Sequence, residues 1–254
     1  MAPNDQRTGR SSKPAIARLA IAIGVCAVIA IGCVQDTPAM FIVQNQRPDN
    51  SCQPSRASSG DIQGAGFYDI SVGNHYYMYP LVENLLRSSG GYEGNRITMS
   101  EALILYDGLP EGAGITRDEV PISGTLNPNG SAALTLEVFD ELLSDRFREE
   151  LTTRNDSRTV KVRIQLFGTT TAGRDVESNQ FVYTINVCQG CLLEFPLEAQ
   201  VEPGPNCQAD FSSSDFSSPC NPGQDDKIDC RLCRQILTGR GESAADIANY
   251  CEPG

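Results

Sequence analysis

The sequence predicts a mainly β chain, an antiparallel β-sandwich with one short inserted helix and a disulfide-stapled, partly helical C-terminal extension. Three observations point to it. Apolar residues recur with a period of two from residue 40 to 191. Turn-forming clusters, such as Asn127-Pro128-Asn129-Gly130 and the stretch Gly168 to Gly173, separate these runs. Cysteines gather at the C-terminal end, as expected where too little apolar surface exists to hold a small segment together.

The clearest strand is Thr159 to Phe167, where Val160, Val162, Ile164 and Leu166 point one way and Lys161, Arg163 and Gln165 the other. One wet face is the antiparallel pattern. Phe181, Tyr183, Ile185 and Val187 alternate in the same manner, and the two runs predict a hairpin across Gly168 to Gly173. Met40 to Val43, Phe67 to Tyr79, Arg96 to Tyr106, Pro121 to Leu126 and Ala132 to Val138 are further strand candidates. Short strands at turn-punctuated spacing suggest an immunoglobulin-like sandwich. Asp140 to Leu151 breaks the pattern, placing Leu142, Leu143, Phe147 and Leu151 at helical spacing behind an Asp140 cap.

Residues 192 to 254 read differently. Residues 192 to 226 are rich in Pro, Gly, Ser, Asp and Asn, including Ser212 to Ser214 and Ser217-Ser218-Pro219, which predicts an extended loop fastened by Cys207 and Cys220. Asp226 to Leu237 predicts a short helix broken by Gly239 and Gly241, and Ser243 to Tyr250 another, capped by Ser243. Cys230 and Cys233 then share one helix face, and Cys233 is expected to meet Cys251 across the helix hairpin.

The N-terminus predicts export. Arg7, Arg10, Lys13 and Arg18 precede an uninterrupted apolar run from Leu19 to Ile31. That run falls short of the roughly 20 residues a spanning helix needs, and it matches a secretory leader. Ala30-Ile31-Gly32-Cys33 resembles a bacterial lipobox. The resemblance implies cleavage after Gly32, acylation of Cys33 and, with Val34 rather than Asp next, the outer membrane. A plain secretory signal or an uncleaved anchor are the other readings of the same residues. The domain reading is therefore a signal at 1–32, a tether at 33–39, a β-sandwich at 40–191 and a Cys-rich extension at 192–254.

Loss of residues 1–32 removes four basic and one acidic side chains from totals of 20 and 32, leaving about −15. Such a body has no basic excess with which to bind nucleic acid, and it repels anionic lipid. Eight cysteines then remain besides Cys33: Cys52, Cys188, Cys191, Cys207, Cys220, Cys230, Cys233 and Cys251. An even number in an exported chain reads as a disulfide framework. Cys188-Gln-Gly-Cys191 and Cys230-Arg-Leu-Cys233 also admit two sharper readings. One is a zinc tetrad, against which the long gap between the pairs counts. The other is a thiol oxidoreductase, against which counts the lack of a strand-to-helix setting for either pair.

The runs Phe41-Ile42-Val43-Gln44-Asn45-Gln46, Met78-Tyr79-Pro80-Leu81-Val82-Glu83-Asn84, Val187-Cys188-Gln189-Gly190-Cys191-Leu192 and Pro219-Cys220-Asn221-Pro222-Gly223-Gln224-Asp225 resemble a group of uncharacterised secreted lipoproteins of myxobacteria and their relatives. The resemblance covers most of the mature chain and implies no activity. The helical ending with Cys233 and Cys251 extends beyond that pattern.

Candidate sites are few. There is no Trp, one His, and no nucleophile-elbow, HExxH or phosphate-loop pattern, so no catalytic residue, cofactor or metal is predicted. His75 lies in Asn74-His75-Tyr76-Tyr77-Met78-Tyr79. Exposed together, Tyr76, Tyr77 and Tyr79 would make a sugar-stacking platform; otherwise they fill a core, with His75 on the wet face. Asp225, Asp226 and Asp229 with Asn221 offer oxygens for Ca²⁺, or form a solvated helix start. The preferred expectation is a lipid-anchored, non-catalytic structural or protein-binding module. Its partners are the membrane, through acyl chains on Cys33, and an envelope protein.

Overall fold

The structure is a computed structural model that describes residues 38–55, 59–88, 90–196, 207 and 219–252. The leader, Cys33, and Ser212 to Ser214 with Ser217-Ser218 lie outside the described residues. The fold is mainly β. In the larger sheet, β2 (Gly66–Asp69), β11 (Phe181–Cys188), β9 (Ser157–Thr170), β5 (Ile97–Asp107) and β6 (Arg117–Leu126) lie side by side in that order, and β10 (Asp175–Glu177) pairs with β9. A smaller sheet runs β1 (Met40–Asn45), β4 (Pro80–Asn84), β7 (Ser131–Ala133). A two-stranded ladder joins β3 (Tyr76–Met78) to β8 (Leu136–Phe139), and another joins β12 (Leu193–Glu194) to β13 (Ile228–Asp229).

The alternation that predicts β9 and β11 orients them. Val160, Val162, Ile164, Leu166, Ile185 and Val187 are fully buried, and the two strands pair antiparallel with Ile185 opposite Val160. Met40, Ile42 and Val82 of the small sheet share the same core, so the two sheets pack face to face as a sandwich. At its centre Phe139 is ringed by Phe147 at 5.3 Å, Tyr68 and Tyr76 at 5.8 Å and Tyr106 at 6.3 Å, all good distances for aromatic pairs.

Several expected elements differ. Among the described strands the antiparallel rule does not hold throughout: β2 pairs parallel with β11, and β12 with β13. The run Phe67 to Tyr79 is two strands in two different ladders. Between them the Asp69 carboxylate accepts from Ser71 N at 3.0 Å while its carbonyl accepts from Gly73 N at 2.9 Å, a local side-chain and backbone capture that ends a strand. Ala132 to Val138 also splits between two ladders: β7 pairs with β4, a register that Leu134 N extends by donating to Pro80 O at 3.0 Å, and β8 from Leu136 pairs with β3. The run Gly168 to Gly173 is not all turn, since β9 continues to Thr170 and β10 folds back onto it.

Helix α1 (Glu141–Glu150) forms as expected, with the Asp140 carboxylate accepting from Leu143 N at 2.8 Å. Leu143, Phe147 and Leu151 are buried, but Leu142 is 66% exposed, because it lies one step round the helix from the sheet-facing stripe. Arg148 spends its guanidinium on Ile70 O, Gly73 O and Asn74 Oδ1, fixing the turn between β2 and β3.

The C-terminal extension folds as α2 (Cys230–Arg240), capped by Asp229, and α3 (Ala244–Cys251), capped by Ser243. Gly239 does not break α2; Gly241 ends it, in the left-handed conformation that glycine adopts without a steric penalty. Leu237, Ile247, Cys233 and Cys251 form a second small core together with Val72, Leu193 and Ile228. No helix among the described residues is long and apolar enough to cross a membrane.

Candidate functional site

All eight cysteines downstream of Cys33 are bonded, in the pairs Cys52–Cys220, Cys188–Cys191, Cys207–Cys230 and Cys233–Cys251. Multiple disulfides fit an extracellular or periplasmic protein. The two CxxC pairs do not meet as a zinc tetrad, because Cys230 and Cys233 each bond a cysteine outside their own pair. Cys188 is buried and Cys191 exposed, and their sulfurs lie within 4.8 Å of an Asp69 carboxylate oxygen. That carboxylate accepts from Gly190 N at 2.8 Å and Leu192 N at 2.9 Å as well as Ser71 N, so it clamps the CxxC loop onto the β2 turn. Gly190, at φ +73°, lets the loop close beneath the Arg154 side chain. Asp69 was invisible as a functional position in the sequence; its one signal is an acid placed between buried aromatic and aliphatic residues.

The aromatic run does not form a platform. Tyr76 is 0% and Tyr79 7% exposed, and only Tyr77 stands part-exposed, stacked on His75 at 6.0 Å. His75 is half exposed, as expected for the wet face, and its Nδ1 lies 2.6 Å from Glu137 Oε1.

The C-terminal acids do not converge as a Ca²⁺ set. Asn221 points its amide nitrogen at the Tyr79 hydroxyl, 2.7 Å away, Asp229 pairs with Arg231 at 2.8 Å, and Asp226 lies 3.6 Å from Arg47. Asp225 is not part of a solvated helix start either. It is half-buried, accepting from Phe67 N at 2.7 Å and from the Tyr76 hydroxyl at 3.3 Å. Burial pushes its carboxyl above the ordinary value of 3.8, against the opposing pull of these hydrogen bonds. The side chain of Gln224 next to it pairs with Tyr77 as a backbone would, accepting from Tyr77 N at 2.9 Å and donating to Tyr77 O at 2.7 Å.

The feature that sequence reasoning missed altogether is the open side of the sandwich. β6 ends the larger sheet and pairs only with β5, so alternate backbone groups along its other edge face outward. Its inward-facing Val120 and Ile122 pack against the core yet stay only half-buried, facing a groove shared with Ala133 and Leu134. Two grooves lie along this edge. One, about 470 Å³, is lined by Tyr77, Val120, Pro121, Ile122, Leu134 and Glu137 among others. The other, about 240 Å³, lies among Tyr106, Asp118, Glu119, Val138, Asp140 and Leu143, again with Glu137.

Neither groove is lined by a Lys or Arg. The Tyr106 hydroxyl donates to Val138 O at 2.8 Å at the inner end of the smaller groove. Burial first, and then the carboxylates of Asp118, Asp140 and Glu137, push that hydroxyl well above its ordinary range. The edge is therefore apolar along its floor and negative along its rim.

No family model matches the chain, and no curated protein does. Among solved structures, the solution structure of a protein assigned as late embryogenesis abundant (LEA) is similar over 66% of this chain and 86% of that one, at 13% identity and a TM-score of 0.33. A superposition of that quality carries no inference about fold or function.

Proposed function

We propose that this chain is a lipid-anchored cell-envelope protein whose β-sandwich serves as a non-catalytic structural or protein-binding module. The observation that carries the reading is the pairing of all eight cysteines downstream of Cys33 with one another. It fits an oxidising compartment, and it leaves Cys33 of Ala30-Ile31-Gly32-Cys33 for acyl chains. More than one acyl chain gives stable membrane attachment, at about 0.8 kcal/mol per buried CH₂. Val34 in place of Asp favours the outer membrane, in keeping with the resemblance to secreted lipoproteins. An acidic body on a short tether stands off anionic lipid and offers its open strand edge to other proteins.

The experiment is an intact mass of the protein extracted from membranes, before and after alkylation under denaturing, non-reducing conditions. A chain that begins at Cys33, carries acyl mass and gains no alkyl groups supports the reading. An unacylated chain, or one with two or more alkylatable thiols, overturns it and returns attention to Cys188 and Cys191.

A further inference from the structure

We propose that the open edge of β6 is a docking site for one extended segment of a partner protein, in which apolar residues alternate with Lys or Arg. The inference rests on the reading of the sandwich as a protein-binding module and names the chemistry of the partner.

Three features of the edge specify the occupant. First, β6 has a ladder partner on one side only, and an extended chain laid beside it would pair with its outward N–H and C=O groups. Second, Val120 and Ile122 are half-buried beside the larger groove, next to Leu134 and Tyr77. An added strand presents every second side chain to such a floor, and those side chains must be apolar. Third, Asp118, Glu119, Glu137 and Asp140 rim the smaller groove; among the described residues Arg117 pairs with Glu119, and the His75 ring meets Glu137. The remaining negative charge selects a cationic strand and repels an acidic one.

The same edge carries the devices that prevent indiscriminate pairing. Pro121 supplies no N–H, and Arg117, Asp118 and Glu119 are exposed charges. An edge of that kind rejects a second copy of itself, since two such rims would bring like charges together. It admits a strand of complementary pattern.

The test uses the mature, acylated chain in non-ionic detergent and a fluorescein-labelled peptide of seven residues alternating Lys and Val. Anisotropy titrations compare it with the same peptide N-methylated at alternate residues, and with one in which Glu replaces Lys. Binding that weakens about tenfold or more with either change, and about tenfold with the exposed Asp118→Lys variant, is the expected result. Equal binding of the N-methylated peptide overturns the proposal, because diffuse attraction to an acidic protein needs no backbone pairing. Absence of binding by all three peptides overturns it equally. The N-methylated arm requires no variant, so misfolding cannot imitate the result. A failure here with acyl mass and paired cysteines still present removes this edge from the account while the anchored module stands; loss of the acyl mass is read in the separate mass measurement.

Discussion

Removing the disulfides one pair at a time, as double serine variants, should separate them sharply in stability. In the chain-entropy picture a cross-link stabilises by shortening the list of unfolded conformations, so its contribution grows with the loop it closes. Cys52 and Cys220 are 168 residues apart, Cys207 and Cys230 23, Cys233 and Cys251 18, and Cys188 and Cys191 only 3. The expected losses are about 5 kcal/mol for the first pair, a little over 3 kcal/mol for each of the next two, and about 1.6 kcal/mol for the last. Two features of the structure sharpen the order. The Asp69 carboxylate accepts from Gly190 N and Leu192 N through contacts that do not involve the sulfurs, so the short loop should keep its geometry without them. The Cys52–Cys220 bond, by contrast, joins the loop after β1 to the segment that runs alongside β2 and β3. The assay is urea unfolding followed by far-ultraviolet circular dichroism and by tyrosine fluorescence, because the chain has no Trp. Coincident transitions license the free energies. A Cys188/Cys191 variant that loses as much as the Cys52/Cys220 variant would refute the reasoning, showing that the short bridge holds native structure rather than constraining the unfolded chain.

Other outcomes follow from the packing and the charges. Asp225 holds its proton above the pH at which the unfolded carboxyl, near 3.8, has released it, so stability should fall as pH rises from about 4 through the raised value. Asp225→Asn should flatten that fall, and parallel pH profiles for the two proteins would contradict the burial argument. Phe139→Ala should lose about 3–5 kcal/mol in the same urea assay, since its ring is fully buried among four aromatic neighbours. Leu142→Ala should change stability by less than about 0.5 kcal/mol, whereas Leu143→Ala should lose about 2–5 kcal/mol, a contrast that tests the face of α1 turned to the core. Asp69→Ala leaves the Ser71, Gly190 and Leu192 amides without their acceptor and should lose about 3 kcal/mol or more, with hydrogen exchange at Gly190 and Leu192 accelerated first.

What the sequence disclosed depended on whether an element has a wet face. β9 and β11 were legible because Lys161 and Arg163 alternate with Val160, Val162 and Ile164. β4 was not, since Pro80, Leu81 and Val82 are all buried and show no alternation. The splits of Phe67 to Tyr79 and Ala132 to Val138 were hidden because the two halves of each run join different ladders whose partners lie far along the chain, β2 with β11 and β3 with β8, β7 with β4 and β8 with β3. Caps, by contrast, are local, and Asp140 and Ser243 were readable in place. The site was the least legible part. Asp225 reads as one acid in a polar stretch until Phe67 and Tyr76 close over it. The significance of Val120, Ile122 and Asp118 rests on β6 standing at a sheet edge, and strand order is not a local property.

The parallel pairing of β2 with β11 also dictates when the molecule can fold. Gly66 through Asp69 meet Ile185 through Cys188, and the outer side of β2 is then closed by still later residues, with Asp69 N donating to Gly223 O and Asp225 N to Phe67 O. A strand made early therefore waits, with one edge and then the other unsatisfied, for partners synthesised more than a hundred residues later. Closing so large a loop before any contact rewards it makes for slow folding. The Cys52–Cys220 bond belongs to the same long closure, since it cannot form until a cysteine 168 residues further along the chain has been made.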